Sequence, residues 1–145
     1  MWKWAAVIFF FQFDMLLLIW AYDHGQRRAI PIVEIAEKRA SQESRDWKAL
    51  SHVPEEYQYH VYAMCLKYDV PVGVFCALVH TESSWKHETI GRNSDSFDIG
   101  FCQLNSKNKK YFEDVFDGYD VYNPLHNIEI GAWFLRQMYD QHKSW

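Results

Sequence analysis

Apolar residues recur at helical spacing along much of the chain, and this pattern predicts a mainly α-helical protein. Pro54 suits a first helical position, and one helical face then carries Tyr57, Val61, Met64, Cys65 and Tyr68. Asn123-Pro124 reads as an N-cap followed by proline, which predicts a helix from Leu125 to about Gln141. A shorter helix is predicted for residues 111–116.

The most apolar stretch lies between Val72 and Val79, where only Gly73 interrupts the run. We expect this helix to be buried on all sides. Glu82 follows at its end, on the same helical stripe as Val74 and Leu78. A carboxylate buried there would lose hydration, which disfavours the charged form and makes the group a proton donor. The alternative is an ordinary solvated or capping acid at a helix end.

A polar segment, residues 91–98, follows this helix and is predicted to be a loop that returns on itself. It leads into the sequence Asp98-Ile99-Gly100-Phe101-Cys102-Gln103-Leu104-Asn105. Gly100 permits a close approach of the backbone, and Gln103 and Asn105 supply amide donors and acceptors. A polar cleft lined by amides beside a desolvated acid suits a carbohydrate.

The first residues are strongly apolar, from Ala5 to Tyr22, and aromatic residues lie near both ends of this run. A membrane-spanning anchor is the favoured interpretation of residues 1–22, although Gln12 and Asp14 make insertion less favourable. A signal segment and a helix buried in a larger assembly are the alternatives. The positive charges at residues 27–28 would favour a cytoplasmic location for the following chain, which conflicts with an extracytoplasmic substrate.

Length and composition predict one domain with an appendage: a polar connector at residues 23–50 and a folded domain at residues 51–145. Nucleic acid is not expected as a partner, because the formal net charge is −4 and no basic face is evident.

The three cysteines, Cys65, Cys76 and Cys102, have no spacing typical of a metal site, and no metal or cofactor is expected. Cys65 and Cys76 are predicted to be small core residues, with a disulfide between them as the alternative in an oxidising compartment.

Three motifs together resemble the soluble lytic transglycosylase family of the lysozyme superfamily. They are Glu82-Ser83, the stretch from Asp98 to Ser106, and the stretch from Asn123 to Ala132. The resemblance implies a lysozyme-like α domain after the N-terminal hydrophobic helix. The Asp-Ile-Gly form of the second motif is most similar to small transglycosylases that accompany secretion and conjugation machines, and it also resembles animal lysozymes.

The resemblance implies an enzyme of the cell envelope that cleaves peptidoglycan strands, anchored in the inner membrane facing the periplasm or secreted into the periplasm. Glu82 would act as general acid and then base, without a cofactor. The residues implied in substrate binding are Ser83, Asp98, Gly100, Gln103, Asn105 and Asn127. For Asn127 a local hydrogen bond in the first helical turn is an equal alternative.

Two other functions stay open. A lysozyme-type hydrolase would use Asp98 as a second carboxylate, although Asp98 could equally fix the turn. A non-catalytic module would bind glycan or organise a membrane complex or phage particle. The larger family has a further tyrosine-containing motif, and this chain ends at Trp145 before it, so the resemblance implies a shortened domain or a missing C-terminal part.

Overall fold

The computed structural model describes residues 29–145, with side chains from residue 34 onward. In chain order, its helices and strands are α1 (Ala29–Leu50), α2 (Glu55–Lys67), α3 (Val72–Ser83), β1 (Ile90–Arg92), β2 (Phe97–Ile99), β3 (Leu104–Asn105), a 3-10 helix (Ser106–Asn108), α4 (Lys109–Val115) and α5 (Pro124–His142). The fold is therefore mainly helical, as the apolar spacing predicts, with a small three-stranded sheet inserted after α3.

The predicted helices α2 and α5 are confirmed. On α2, Val61 and Cys65 are buried, and the other residues of the predicted face pack against the same core. At the start of α5, the Asn123 side chain accepts hydrogen bonds from the backbone N–H groups of Leu125 and His126. This cap satisfies donors that a helix N-terminus otherwise leaves free, with Pro124 in the first turn.

Helix α3 forms as predicted, but the expectation that it is buried on all sides is wrong. Its buried residues are Val72, Phe75, Cys76, Val79 and Ser83, which occupy one face. Gly73 and Ala77 are exposed on another face. The segment buried on all sides lies instead in α5, where every residue from Asn127 to Ala132 is buried.

The polar segment after α3 is a β-hairpin and not an irregular loop. Strand β1 pairs with β2 in antiparallel register, with Gly91 opposite Asp98, and β2 pairs with β3, with Asp98 opposite Asn105. Because residues directly opposite each other share a face, these three residues lie on one face of the sheet. The strands are three, three and two residues long, too short to give an alternating pattern in the sequence.

Two apolar clusters hold the compact unit from Arg45 to Trp145 together. The first joins the end of α1 to α2, α3 and one face of α5, and its buried members include Leu50, Val61, Phe75, Val79, Phe101, Ile128 and Ala132. The second joins the sheet and α4 to another face of α5 through Ile99, Leu104, Phe112, Val121 and Ile130. Helix α5 thus contributes to both clusters.

The described residues up to Ser44 belong to a separate unit, and every side chain from residue 34 to residue 45 is exposed. Within the described residues, no helix combines the length and apolarity needed to cross a bilayer. The predicted hydrophobic helix and membrane anchor, residues 5–22, lie outside the described part of the chain.

Candidate active site

Glu82 lies in the last turn of α3 and is exposed, so the prediction of a buried carboxylate is wrong. Val74 and Leu78, which lie on the same side of α3 as Glu82, are only half-buried. The core packs against the neighbouring side of the helix, which carries Phe75 and Val79. Glu82 therefore borders the buried face of α3 without being part of it. The protein alone does not desolvate this carboxylate.

The chain leaves α3 through two consecutive residues in the left-handed conformation, Ser84 with φ 51° and Trp85 with φ 61°. Residues other than glycine seldom adopt this conformation, and when they do the surrounding structure has to hold them there. Burial of Trp85, whose ring contacts Phe101 edge-on at 5.7 Å, provides such an anchor. The exit of α3 next to Glu82 is therefore fixed by packing.

The turn between β2 and β3, residues 100–103, is docked onto α5 through Asn127. The Asn127 amide donates to the carbonyl oxygens of Ile99 and Val121, both at 2.9 Å, and its oxygen accepts from the backbone N–H of Cys102 at 2.9 Å. Asn127 is 1% exposed, so these bonds are shielded from water. Of the two roles expected for Asn127, shaping the site is favoured over a purely local hydrogen bond.

Two glycines allow this docking. Gly100 has φ +74°, and a Cβ there would lie 2.6 Å from the Asn127 amide nitrogen. A Cβ on Gly131 would lie 2.3 Å from Cys102 Sγ. A Cβ atom does not come this close to an atom outside its own residue, so a methyl group at either position would push the turn away from α5. The close approach predicted at Gly100 is thus made to a side chain of α5.

Gln103 completes the turn with φ 47°, another left-handed residue. Its amide nitrogen donates to the carbonyl oxygens of Gly100 at 2.8 Å and Thr89 at 3.1 Å. Its amide oxygen lies against Gly91, where a Cβ would come within 2.8 Å of it. The Gln103 amide N–H groups are therefore used within the protein, and its oxygen has no hydrogen-bond partner among the described residues.

Asp98 is held by two asparagines on the polar face of the sheet. Asn93 Nδ2 donates to Asp98 Oδ2 at 2.9 Å, and Asn105 Nδ2 donates to Asp98 Oδ1 at 2.7 Å. The Asn105 oxygen in turn accepts from the backbone N–H of Lys107 at 3.0 Å. Asp98 therefore fixes the hairpin through the side-chain amides of two asparagines.

Glu82 interacts electrostatically with Cys102 in the docked turn. Burial raises the pKa of the Cys102 thiol, and the nearby Cys65 and Glu82 raise this pKa further. All three cysteines are free, so the alternative of a disulfide between Cys65 and Cys76 is not realised. A thiol with a raised pKa stays protonated, so Cys102 is a poor nucleophile and contributes to packing.

Ser83 does not point toward a ligand. Its side chain is buried, and its hydroxyl donates to the carbonyl oxygen of Val79 one turn earlier. Of the seven residues predicted for the site, the structure thus gathers Asp98, Gly100, Gln103, Asn105 and Asn127 around one turn, with Glu82 nearby. Their roles toward a substrate stay predictions, because the hydrogen bonds seen are all within the protein.

The sequence analysis overlooked a buried acid on α5. Glu129 is 6% exposed, and its carboxylate accepts from Lys67 at 2.6 Å, Tyr68 at 2.8 Å and Tyr119 at 2.6 Å. Burial raises the pKa of Glu129, but the hydrogen bonds from Lys67 and the two tyrosines outweigh this and hold it below the ordinary value. In the sequence, the position of Glu129 between two isoleucines, Ile128 and Ile130, was the feature that could have indicated a buried acid.

A second overlooked residue is Asn93, which was assigned only to a polar loop.

No group of three or more histidine, cysteine or acidic side chains within residues 34–145 is arranged to hold a metal ion.

The comparison with protein families agrees with this architecture. A family model described as the transglycosylase SLT domain matches residues 61–145, more than half of the chain. The chain therefore belongs to the SLT transglycosylase family of the lysozyme-like superfamily. Membership assigns it a lytic-transglycosylase-type function acting on peptidoglycan. No curated protein and no solved structure matches the chain.

Proposed function

We propose that this protein is a lytic transglycosylase that cleaves the β-1,4 bond between N-acetylmuramic acid and N-acetylglucosamine, with Glu82 as the catalytic residue. The observation that supports this most directly is the position of Glu82. It is an exposed carboxylate at the end of a core helix, in electrostatic contact with the turn that Asn127 docks onto α5. An exposed acid on a rigid frame is accessible to a polymer.

In the proposed reaction, protonated Glu82 donates its proton to the glycosidic oxygen as the bond to C1 of the muramoyl residue breaks. The ring passes through an oxocarbenium-like transition state. The ionised Glu82 then accepts the proton of the C6 hydroxyl of the same sugar while that oxygen bonds to C1, which gives a 1,6-anhydromuramoyl end. A glycan strand lying over Glu82 would supply the desolvation that the protein does not provide.

The remaining predicted site residues would act on the substrate mainly through the shape of the turn. Gly100 and Asn127 hold the turn against α5, and Ser83 supports the end of α3. The Gln103 oxygen and the polar sheet face with Asp98 and Asn105 are the groups we assign to contacts with sugar hydroxyls and amides.

Hydrolysis is the second candidate, and it is favoured by the two amide donors on Asp98. A carboxylate held in a fixed orientation by these bonds could stabilise an oxocarbenium ion or act as nucleophile while Glu82 donates the proton. The reaction would then end with water at C1, and the product would carry a reducing end.

The test incubates the full-length protein with purified peptidoglycan and analyses the released muropeptides by mass spectrometry. Anhydro products support the transglycosylase, reducing ends support the hydrolase, and no products support a binding module. Glu82→Gln should abolish release without changing the folded state. Glu88→Gln is the matched control, because Glu88 is an exposed acid a few residues further on that pairs only with His87 among the described residues. Equal activity of Glu82→Gln and the wild type would refute the role of Glu82.

Asp98→Asn separates the two reactions, because it removes the charge with a side chain of the same size. The new amide gives up one of the hydrogen bonds from Asn93 and Asn105, so circular dichroism must first show that the variant is folded. We expect anhydro product formation to persist in this variant if the enzyme is a lyase. Loss of a reducing-end product in the same variant would identify the hydrolase.

We further propose a location in the cell envelope facing the periplasm, since that is where a peptidoglycan substrate lies. Service to a secretion, conjugation or phage assembly rests on the resemblance of the second motif alone. A reporter active on only one side of the membrane, fused to each terminus in turn, tests the proposed anchor at residues 5–22. Reporter activity that places the C-terminal end in the cytoplasm would contradict the proposed periplasmic location.

A further inference from the structure

The small sheet has a free edge at β1, because β1 pairs with β2 on one side and with no strand of the described chain on the other. Hydrogen-bonded and non-hydrogen-bonded residue pairs alternate along two antiparallel strands. At one end of β1 the Gly100 N–H donates to the Thr89 carbonyl at 3.0 Å. At the other end the Asn93 N–H donates to the Ser96 carbonyl at 2.9 Å. Gly91 lies two residues from each end and is therefore the third hydrogen-bonded position.

Ile90 and Arg92 lie between these positions, so they do not exchange hydrogen bonds with β2. Their N–H and C=O groups point to the free edge, as two donors and two acceptors about 7 Å apart along the strand. Both residues are exposed. Because an extended peptide can add to such an edge as a further strand, proteins usually cover or pair it. The edge of β1 therefore has the groups needed to bind a short peptide.

The face of the sheet beside this edge combines apolar surface with a positive charge. Arg92 and Phe97 are opposite each other and share a face, and Ile90 lies on the same face two residues earlier. The Ile90 and Phe97 residues are 53% and 45% exposed. Arg92 has no hydrogen bond or ion pair with any described side chain. A guanidinium group in this situation suits a carboxylate, to which it can donate two parallel hydrogen bonds.

Neither acid of the hairpin compensates the charge of Arg92. Asp95 forms an ion pair with Lys107. Asp98 lies on the opposite face of the sheet, where two asparagines donate to it. The charge of Arg92 is therefore available to a ligand.

The free edge begins beside the proposed site. Thr89, the residue before β1, accepts a hydrogen bond from the Gln103 amide at 3.1 Å, and Gly91 in the middle of β1 lies against the Gln103 oxygen. Peptidoglycan carries a stem peptide with free carboxylates on the lactyl groups of its muramoyl residues. A glycan strand on the polar face of the sheet would thus bring a stem peptide to the edge of β1.

We propose that the free edge of β1 binds the stem peptide of peptidoglycan. Ile90 and Arg92 would pair with its peptide groups, and the Arg92 guanidinium would bind one of its carboxylates. The exposed surfaces of Ile90 and Phe97 would contact its alanine methyl groups. The identity of this occupant rests on the proposed function, since the stem peptide belongs to the polymer that Glu82 would cleave.

The first test follows the backbone amides of the full-length, 15N-labelled protein by NMR during titration with the tetrapeptide L-alanyl-γ-D-glutamyl-meso-diaminopimelyl-D-alanine. The Ile90 and Arg92 signals should shift saturably. Solvent exchange of these two amides should slow at least about tenfold, because each gains an acceptor. The same peptide with its carboxylates amidated should bind about tenfold more weakly, since a charged hydrogen bond is lost.

Three results of this titration would overturn the proposal. They are unchanged solvent exchange at Ile90 and Arg92, equal affinity for the two peptides, and protection of these amides that rises with protein concentration in the absence of peptide. The last result would assign the free edge to a second copy of the chain.

The second test removes the charge. Arg92→Gln should lower the affinity for the tetrapeptide about tenfold, to that of the amidated peptide. Lys86→Gln is the matched control, because Lys86 is an exposed cation before β1 and its loss changes the net charge equally. It should leave the affinity unchanged. Equal weakening by both variants would reduce the attraction to net charge and refute the site.

The third test separates this proposal from the proposed reaction. Peptidoglycan strands that carry stem peptides are compared with strands from which an amidase has removed them. Wild type and Lys86→Gln should cleave the peptide-bearing strands several-fold faster, and Arg92→Gln should lose this preference. Equal cleavage of both strands by the wild type would refute the peptide site and leave the proposed function intact. Binding of the tetrapeptide without cleavage of either strand would refute the proposed function and support the site.

Discussion

The buried cluster around Glu129 gives the sharpest prediction about stability. Replacing Glu129 by glutamine keeps the volume of the side chain, removes its charge, and exchanges one acceptor oxygen for an NH₂ group. At Oε1 the NH₂ group would face the Lys67 ammonium, which only donates, whereas at Oε2 the Tyr119 hydroxyl can rotate and accept from it. Glu129→Gln should therefore lose the charge-assisted hydrogen bonds from Lys67 and the two tyrosines even when the amide takes its better orientation.

The size of the effect follows from the contacts. Hydrogen bonds to a charged group contribute about 1.5–3 kcal/mol each. The full sum does not apply, because the Lys67 side chain is 53% exposed and its interaction is screened, and because the amide keeps one acceptor. We expect a loss of about 2–3 kcal/mol in the free energy of unfolding, or about 5–12 °C in Tm for a domain of this size.

The assay is urea unfolding at pH 7 and at acid pH, followed by circular dichroism. Because the pKa of Glu129 is lower in the folded state, its contribution is fully present above the ordinary value of 4.5 and is lost as the pH falls through the folded value. The difference between wild type and Glu129→Gln should therefore shrink below about pH 4.5. The pKa of Lys67 is raised by the bond to Glu129, so the contribution of Lys67 is present at pH 7 and is lost only at alkaline pH.

Two comparisons decide the outcome. Glu113→Gln removes the exposed i,i+4 partner of Lys109 and should cost about 0.5 kcal/mol or less. A double-mutant cycle of Lys67→Met with Glu129→Gln should give a coupling of about 1 kcal/mol. A Glu129→Gln variant as stable as the Glu113→Gln variant, with the same acid profile as wild type, would refute the assignment of Glu129 as a structural clamp.

The close contacts and caps give three further predictions. Gly131→Ala should destabilise the protein by about 1–3 kcal/mol because its methyl group overlaps Cys102, whereas Gly73→Ala, which meets nothing, should raise stability by about 0.5 kcal/mol; thermal unfolding of the two variants tests the contrast. Asn127→Leu should cost about 2–4 kcal/mol, since it leaves two carbonyls and an N–H without their partner, and equal denaturation midpoints for variant and wild type would contradict this. Asn123→Ala removes the cap of α5 and should cost about 1 kcal/mol by the same measurement.

The parts of the fold that could be predicted are those encoded locally. Asn123 and Pro124 indicate the start of a helix, because the Asn123 side chain caps N–H groups two and three residues later and proline suits the first turn. The apolar spacing of α2 depends only on helix geometry. The motif around Gly100 also gathers most of its predicted residues at one turn. These signals need no knowledge of the rest of the chain.

The errors arise where distant partners decide. Periodicity shows that Glu82 shares a stripe with Val74 and Leu78, but the direction of the core is set by the elements that pack on α3. Glu129 can be buried with its charge because Lys67 and Tyr68 donate hydrogen bonds to it. These two residues lie more than sixty residues earlier in the chain, where a local pattern gives no sign of them. The hairpin was overlooked because its cross-links are polar side chains, and the asparagines on Asp98 follow no hydrophobic pattern.

The dependence of the turn on Asn127 also has a consequence for the order of events during synthesis. The chain emerges from the ribosome with Glu82 and the hairpin first, at about 5–20 residues per second, and α5 follows. Until Asn127 emerges, the carbonyl of Ile99 lacks the amide N–H that donates to it, and the N–H of Cys102 lacks the amide oxygen that accepts from it. The turn at residues 100–103 is therefore fixed last, after α5, the helix that holds it, has left the ribosome.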